Sequence, residues 1–315
     1  MLIRIFILNF LALFLAGCTH HGDAGKSVAG TRVTQARKLP SFNHVVAEGQ
    51  IDVSMHTGYA QPQVILRGDP RDLVQVVTEV KNNRLVMYLG AGHPRYGPVS
   101  ADIRTRYLNS FVYDGGGTVS GMRLNSGLLD VSIKNPGTTR LGGNINLRKL
   151  EVKGSGMTRI SGVRTSSLQL SMSGNPVVEL VGVAKLSCLD LRGEGRFSLY
   201  WVKSDKLTIK ARDNIFLQLA GIANMMNVEL WDHARFKGRY LRASRVFVKT
   251  HNFSVAEISA TRRQHALASD ASDIYFYNLP QMKTDFMAYN GAVLDMRDWR
   301  MYSLQEYTRY NKWPI

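Results

Sequence analysis

The sequence predicts an all-β chain wound as a single right-handed parallel β-helix (a β-solenoid) with about 18–21 residues per coil. Three observations predict it. First, between residues 111 and about 299 one short phrase recurs: Leu129-Asp130-Val131, Leu150-Glu151-Val152, Leu168-Gln169-Leu170, Leu189-Asp190-Leu191, Leu207-Thr208-Ile209, Val228-Glu229-Leu230 and Val246-Phe247-Val248. The middle residues are Asp130, Glu151, Gln169, Asp190, Thr208, Glu229 and Phe247, so a longer and a shorter step alternate strictly. A fixed period of this kind marks a repeat architecture. Second, each phrase is apolar–polar–apolar, the period-two signature of a strand with one buried face. Third, a second strand follows in several coils (177–181, 197–201, 215–219, 254–258), with Gly-hydrophobic corners at Gly162-Val163, Gly182-Val183 and Gly221-Ile222. A coil of this length holds about three short strands at roughly 3.3 Å per residue. A propeller or sandwich, built of antiparallel strands, has no need of this alternation.

Residues 1–17 read as an export signal. Arg4 supplies a basic start, and an apolar run from Ile5 to Leu15, broken only by Asn9, is too short to span a bilayer comfortably. Leu15-Ala16-Gly17-Cys18 resembles the lipobox of bacterial lipoproteins. That resemblance implies cleavage before Cys18, a diacylglycerol thioether on its thiol and, because Thr19 follows where Asp retains lipoproteins in the inner membrane, sorting to the outer membrane. Residues 18–40 then read as the lipidated Cys18 and a flexible tether, rich in Gly, Ser, Thr and basic residues with no periodic apolar face. About twenty such residues reach up to roughly 70 Å when extended. His20 and His21 fall in this tether, without the further ligands a metal site needs.

Residues 41–98 read as an N-terminal cap and first strands, around 45–49, 51–55, 64–66 and 85–89. The stretch 73–80 suits either a short helix or a strand, and Asn82-Asn83 suits a turn. This segment would cover the open first coil, an edge that solenoids must protect. Residues 111–299 form the repeating coils. Residues 300–315 carry Tyr302, Tyr307, Tyr310 and Trp313, and read as an aromatic tail or cap over the last coil rather than a sugar-binding ladder.

At residues 41–299 the chain resembles the head GIN domain family, also described as a putative auto-transporter adhesin. The likeness rests on Phe42, Val45 and Gly49-Gln50-Ile51-Asp52-Val53, then Val64-Ile65-Leu66-Arg67-Gly68-Asp69 and Asn83-Arg84-Leu85-Val86-Met87. It continues in Gly154-Ser155-Gly156-Met157-Thr158-Arg159-Ile160 and Ser171-Met172-Ser173-Gly174. Later turns depart from the Gly-Ser-Gly pattern, as in Ala211-Arg212-Asp213-Asn214 and Asp232-His233-Ala234. The resemblance implies a β-helical, exported, often lipid-anchored protein and carries no catalytic residues.

Function is read from the surface. The net charge is +16, and loss of residues 1–17, which contain Arg4 and no acid, leaves about +15, favouring anionic partners such as phospholipid headgroups, lipopolysaccharide and cell-wall polymers. With Cys18 lipidated, Cys188 has no disulfide partner and reads as a buried small hydrophobe. The repeat places Asp130, Glu151, Gln169, Asp190, Thr208 and Glu229 in one outward column, beside a column of Lys153, Arg192, Lys210 and Lys249. The residues suit a solubilising charge ladder better than the clustered acids of a polysaccharide-cleaving β-helix. No cofactor or metal motif stands out, and nucleic acid suits an exported lipoprotein poorly. Arg235, Lys237, Arg239 and Arg242 form the densest basic stretch and the candidate site for an anionic polymer. The chain therefore reads as a non-enzymatic outer-membrane lipoprotein, held by its lipid anchor, that binds an anionic polysaccharide, lipopolysaccharide or cell-surface partner. The alternative is a structural or accessory envelope protein without a small ligand; a polysaccharide-cleaving enzyme comes third.

Overall fold

The computed structural model describes residues 31–296. Cys18, His20 and His21 and the aromatic tail of residues 300–315 lie outside the described residues. The described chain is nearly all β and winds as a parallel solenoid of about nine turns, the fold class the repeat predicts. No helix among the described residues is long and apolar enough to cross a membrane.

The N-terminal segment contains β1 (Val33–Lys38), β2 (His44–Glu48), β3 (Ile51–His56), β4 (Gln63–Gly68), α1 (Pro70–Leu73), β5 (Val76–Lys81), β6 (Arg84–Leu89), β7 (Val99–Arg104) and β8 (Ser110–Asp114). The stretch 73–80 thus divides between the end of a helical turn and a strand. The regular coils follow as long bent strands: β9 (Val119–Lys134), β10 (Thr138–Gly154), β11 (Met157–Gly174), β12 (Val177–Leu191), β13 (Arg196–Ala211), β14 (Phe216–Leu230), β15 (Arg235–Thr250) and β16 (Val255–Ser269). β17 (Asp273–Phe276), β18 (Lys283–Tyr289) and β19 (Ala292–Asp295) complete the described chain. Each coil has three faces. The first carries the Leu-x-Val phrase, the second begins each long strand, and the third lies between them.

The cap is threaded, not simply stacked. β2 pairs in parallel with both β6 and β8, and β3 with both β7 and β9, so residues 44–56 form an inner coil beneath the later β6 and β7. Antiparallel strands finish the outer edges: β5 on β6, β4 on β7, and β1 on β4. They occupy the row of unpaired N–H and C=O groups that a parallel coil would otherwise present. Residues 33–38 fall within the expected tether, but they form β1. Their side chains are largely exposed, which hid the strand from any apolar pattern. Backbone pairing to β4 holds them, together with the Arg37 guanidinium, which donates to Val76 O at 2.6 Å, Thr78 Oγ1 at 2.9 Å and Leu73 O at 3.1 Å. Tyr113 pins the cap to the first regular coil: its buried hydroxyl donates to Ile51 O at 2.9 Å and accepts from Gly117 N at 2.7 Å. Burial pushes that hydroxyl up to about 12, so it remains a donor.

The stacking register corrects the repeat. Val131, Leu150, Leu170, Leu189, Ile209, Val228 and Val248 are successive partners in one buried column. These partners are spaced almost evenly along the chain, where the repeated phrase suggests markedly unequal steps. Each such side chain removed from water contributes roughly 1.5–3 kcal/mol. A two-residue slip along a strand leaves every side chain on its own face, so the apolar pattern alone accepts either register. The observed pairing is the register in which the corners of successive coils also align.

The corner between the first and second faces explains the altered turns. Gly154, Gly174 and Gly193 occupy it with φ of 100°, 89° and 99°, and in the following coils Asp213, Asp232 and Asn252 take left-handed φ of 65°, 62° and 60°. Asp and Asn tolerate this region better than other residues with a Cβ. Here their side chains also bond between coils. Asp213 Oδ2 accepts from Gly193 N at 2.7 Å, Asp232 Oδ2 from Asp213 N at 3.3 Å, and Asp232 Oδ1 from Asn252 Nδ2 at 2.9 Å. Asp213→Gly should therefore change stability by no more than about 1 kcal/mol, whereas Asp213→Val should cost about 1–3 kcal/mol. Urea unfolding of both variants measures the difference, and equal midpoints would refute this account of the corner.

Candidate functional site

The observed register rearranges the exterior of the first face. Asp130 pairs with Lys149, and Glu151 pairs with Ser132 and Ser171, so the two acids expected in one column stand in different ones. Asp190, Lys210, Glu229 and Lys249 are successive partners, an alternation of charge across four coils. Opposite charges facing each other across strands favour this stacking modestly, by roughly 0.2–1 kcal/mol per pair. The remaining acids are also occupied. Arg148 donates to both oxygens of Asp130, through Nε at 2.9 Å and through Nη2, and its hydrogen bonds hold that carboxyl below the usual range. Lys153, 2.7 Å from Glu151, does the same there. A general acid needs its pKa raised toward the working pH; both of these shifts run the other way.

The four basic residues singled out by the sequence do not share one surface. Arg235 and Lys237 are exposed on the second face. Arg239 is turned toward Glu257, its Nε 3.7 Å from the carboxylate, and Arg242 lines a cleft on the third face with Lys185, Lys203 and Ile222. The register gives Arg235 other neighbours: Arg196 pairs with Phe216, and Phe216 with Arg235. The Arg196 guanidinium lies 4.9 Å and the Lys237 ammonium 5.4 Å from the centre of the Phe216 ring, which draws both cations through its negative face. Arg235 continues to Val255, so no acid adjoins it in its column; Lys237 meets one, Glu257, on the next coil. Arg196 and Phe216 escape the sequence reading because they lie on the two preceding coils, at the starts of β13 and β14. Only the correct coil length brings them beside Arg235.

Two polar clusters in the cap resemble sites and are better explained otherwise. His56 Nε2 lies 3.2 Å from Ser54 Oγ and 3.4 Å from Asp102 Oδ1. A nucleophile–base–acid relay needs two different ring nitrogens, one for the hydroxyl and one for the carboxylate. Here one nitrogen faces both, while Asp102 Oδ2 accepts from Arg104 at 2.8 Å. The second cluster surrounds Asp72, fully buried in α1, which accepts from Arg95 N at 2.9 Å and Tyr96 N at 2.8 Å and contacts His93 Nδ1 at 3.2 Å. Burial pushes this carboxyl up, but those donors together outweigh burial and hold it below its ordinary value. Asp72 thus fastens the loop 90–98 to α1, with the Arg71 guanidinium 3.5 Å above the Tyr96 ring. Among the described residues, no group of three or more His, Cys, Asp or Glu is arranged to hold a metal ion. Cys188, expected in the core, sits instead in an outward column between Gln169 and Thr208 and is half-buried. The two-residue phase of the strand puts its neighbour Leu189 inward, which forces Cys188 out.

These features define a parallel β-solenoid that lays out its polar residues as surface ladders. Residues 41–188 match the family described as "putative auto-transporter adhesin, head GIN domain", and that segment is a head GIN domain. Among solved structures, the chain is similar to a "putative lipid binding protein" from Parabacteroides distasonis ATCC 8503, at 14% identity over 84% of this chain and 96% of that one, TM-score 0.46. It is also similar to a "putative adhesin" from Parabacteroides merdae ATCC 43184, at 14% identity over 84% of this chain and 95% of that one, TM-score 0.45. The family and both neighbours are described as adhesins or lipid-binding proteins rather than enzymes. No curated protein matches the chain.

The cap carboxylates give a pH dependence. Hydrogen bonds from Arg71 bring Asp69 down to about 2, and Asp72 is also depressed. Groups with lowered folded-state pKa stabilise the fold above their unfolded value, near 3.9, and lose that contribution as pH falls through the folded one. Pepsin cleavage within residues 90–98 should therefore rise between about pH 4 and about pH 2. Asp72→Ala should open the same loop to chymotrypsin at pH 7, and an equally protected loop in that variant would refute the role of Asp72.

Proposed function

We propose that the protein is an outer-membrane lipoprotein, anchored through Cys18, whose solenoid exterior binds an anionic envelope or glycan polymer as an adhesin. One observation carries this reading: Arg196, Phe216 and Arg235 succeed one another in register, with Lys237 beside them, and no acid adjoins Arg235 in its column. Successive coils repeat at about 4.8 Å, so the cations form a linear array rather than a pocket, a form suited to a chain of sulfates, phosphates or carboxylates. The Leu15-Ala16-Gly17-Cys18 sequence supports the anchor, and Thr19 supports outer-membrane sorting. Arg148 and Lys153 hold the Asp130 and Glu151 carboxyls of the first face below their usual range, which supports binding without catalysis.

Purified protein should bind dextran sulfate and lipopolysaccharide with an affinity that falls as salt rises, because exposed charges are screened within about 10 Å at 0.1 M. Replacing both Arg235 and Lys237 by Glu should weaken binding about tenfold or more at low salt with an unchanged melting temperature. Absence of any salt-sensitive binding would instead favour a structural envelope role without a ligand. Radiolabelled palmitate should enter the wild-type protein in cells and not Cys18→Ala; labelling that survives the substitution would remove the anchor from this reading.

A further inference from the structure

On β13 the alternation of buried and exposed residues breaks. Leu199 and Val202 point inward, but both residues between them point out, Tyr200 at 48% and Trp201 at 68% exposure. The break marks the corner where the second face turns into the third. On the coil before, Val181 and Val183 stand exposed around Gly182; on the coil after, Ile222 stands exposed beside Gly221. Ala184 pairs with Val202, and Val202 with Gly221, so these apolar residues lie side by side over three consecutive coils. Scattered exposed apolar residues are ordinary, but a ridge of contiguous ones at a projecting corner, two of them aromatic, is not.

The ridge is bounded by cations. Val183 pairs with Arg164 on the preceding coil, and Ile222 stands in register between Lys203 and Arg242, so cations adjoin the apolar residues at both ends. Along the third face Lys185 and Lys203 follow the ridge, lining one cleft with Ile222 and Arg242. The cleft has one acid, Asp205, which lies 4.0 Å from Lys185 and accepts from Asn224 at 3.1 Å. The ridge and its rim therefore pair an apolar, aromatic crest with a positive border.

We infer that this corner docks the protein on an anionic lipid surface, with Trp201 and Tyr200 entering the headgroup region and Arg164, Lys185, Lys203 and Arg242 meeting lipid phosphates. Trp and Tyr favour the membrane–water interface because an apolar ring and a hydrogen-bonding tip suit its gradient of polarity. Each cation near an anionic leaflet raises partition about fivefold. The charge argues for lipid over a second copy of this chain, since two such rims would repel each other. This surface is set apart along the strand from the Arg196–Phe216–Arg235 column and depends on neither polymer binding nor Cys18.

A chain of residues 19–315, which keeps every described strand and omits Cys18, tests the inference. It should co-sediment at 150 mM salt with vesicles of phosphatidylglycerol and phosphatidylethanolamine, and not with phosphatidylcholine alone. Trp201→Ser should lower the bound fraction at least fivefold. Lys185→Glu with Lys203→Glu should lower it more than Arg235→Glu with Lys237→Glu, a pair that changes net charge equally on another surface. Bromine-labelled lipid should quench tryptophan emission in the wild type and much less in Trp201→Phe. All variants should melt within a few degrees of the wild type, because the altered side chains are on the surface. Equal vesicle binding by wild type and Trp201→Ser would overturn the inference. So would a soluble dimer that Trp201→Ser disperses, or equal losses from the two charge-reversed pairs.

Discussion

Parallel, in-register stacking of coils is the constraint on which the rest of this structure depends. Each residue of β9 to β16 has for its neighbours the residues at the same place on the coils before and after. Most inward places are therefore apolar from coil to coil: the column through Leu189 holds only Val, Leu and Ile from Val131 to Val248, while Thr139 and Thr158 stand buried in another column. Outward places gain where opposite charges stack about 4.8 Å apart. The column Asp190, Lys210, Glu229 and Lys249 alternates in this way, whereas Arg245, Arg263 and Lys283 stack as like charges. Left-handed corners must recur as well, and Gly, Asp and Asn share them along the chain.

The same stacking sets out the polar groups of the exterior in rows. A catalytic site needs groups in dissimilar environments, so that one acid is raised and another stays ionised. Here Arg148 on the next coil and Lys153 two residues along the same strand lower Asp130 and Glu151 alike, driving both in the same direction. Arrays of like function suit repeating or extended ligands. Among the described residues, the Arg196–Phe216–Arg235 column and the apolar corner around Trp201 with its basic rim both depart from balanced charge. Each spans three coils, a length no single strand phrase could encode.

A solenoid must also end. The cap meets this by threading β2 and β3 beneath β6 and β7, then closing the edges with the antiparallel strands β5, β4 and β1. The buried Asp72 and Tyr113 belong to that device. Both are polar groups deep in an apolar segment, and both are satisfied by backbone partners across turns. Leaving such groups unpaired costs roughly 1–3 kcal/mol, so they specify one arrangement of the cap.

The sequence by itself determined the fold class, the inward faces and most corners, because period-two alternation and a recurring phrase leave one compatible architecture. It placed Arg235 and Lys237 together, since they alternate on one strand. It could not determine the register, because a slip of two residues preserves every inward and outward assignment. Hence Asp130 and Glu151 align in the sequence although they stand apart in space, and Arg196 and Phe216 go unnoticed beside Arg235. β1 was hidden for a related reason: an edge strand held by backbone bonds and one arginine needs no apolar pattern. Cys188 shows the local form of the problem, since a small residue next to Leu189 suits either face until pairing fixes the phase. Tertiary structure decided which residues from different coils become neighbours, because the register is set by the geometry and length of the corners between strands, which apolar alternation does not record.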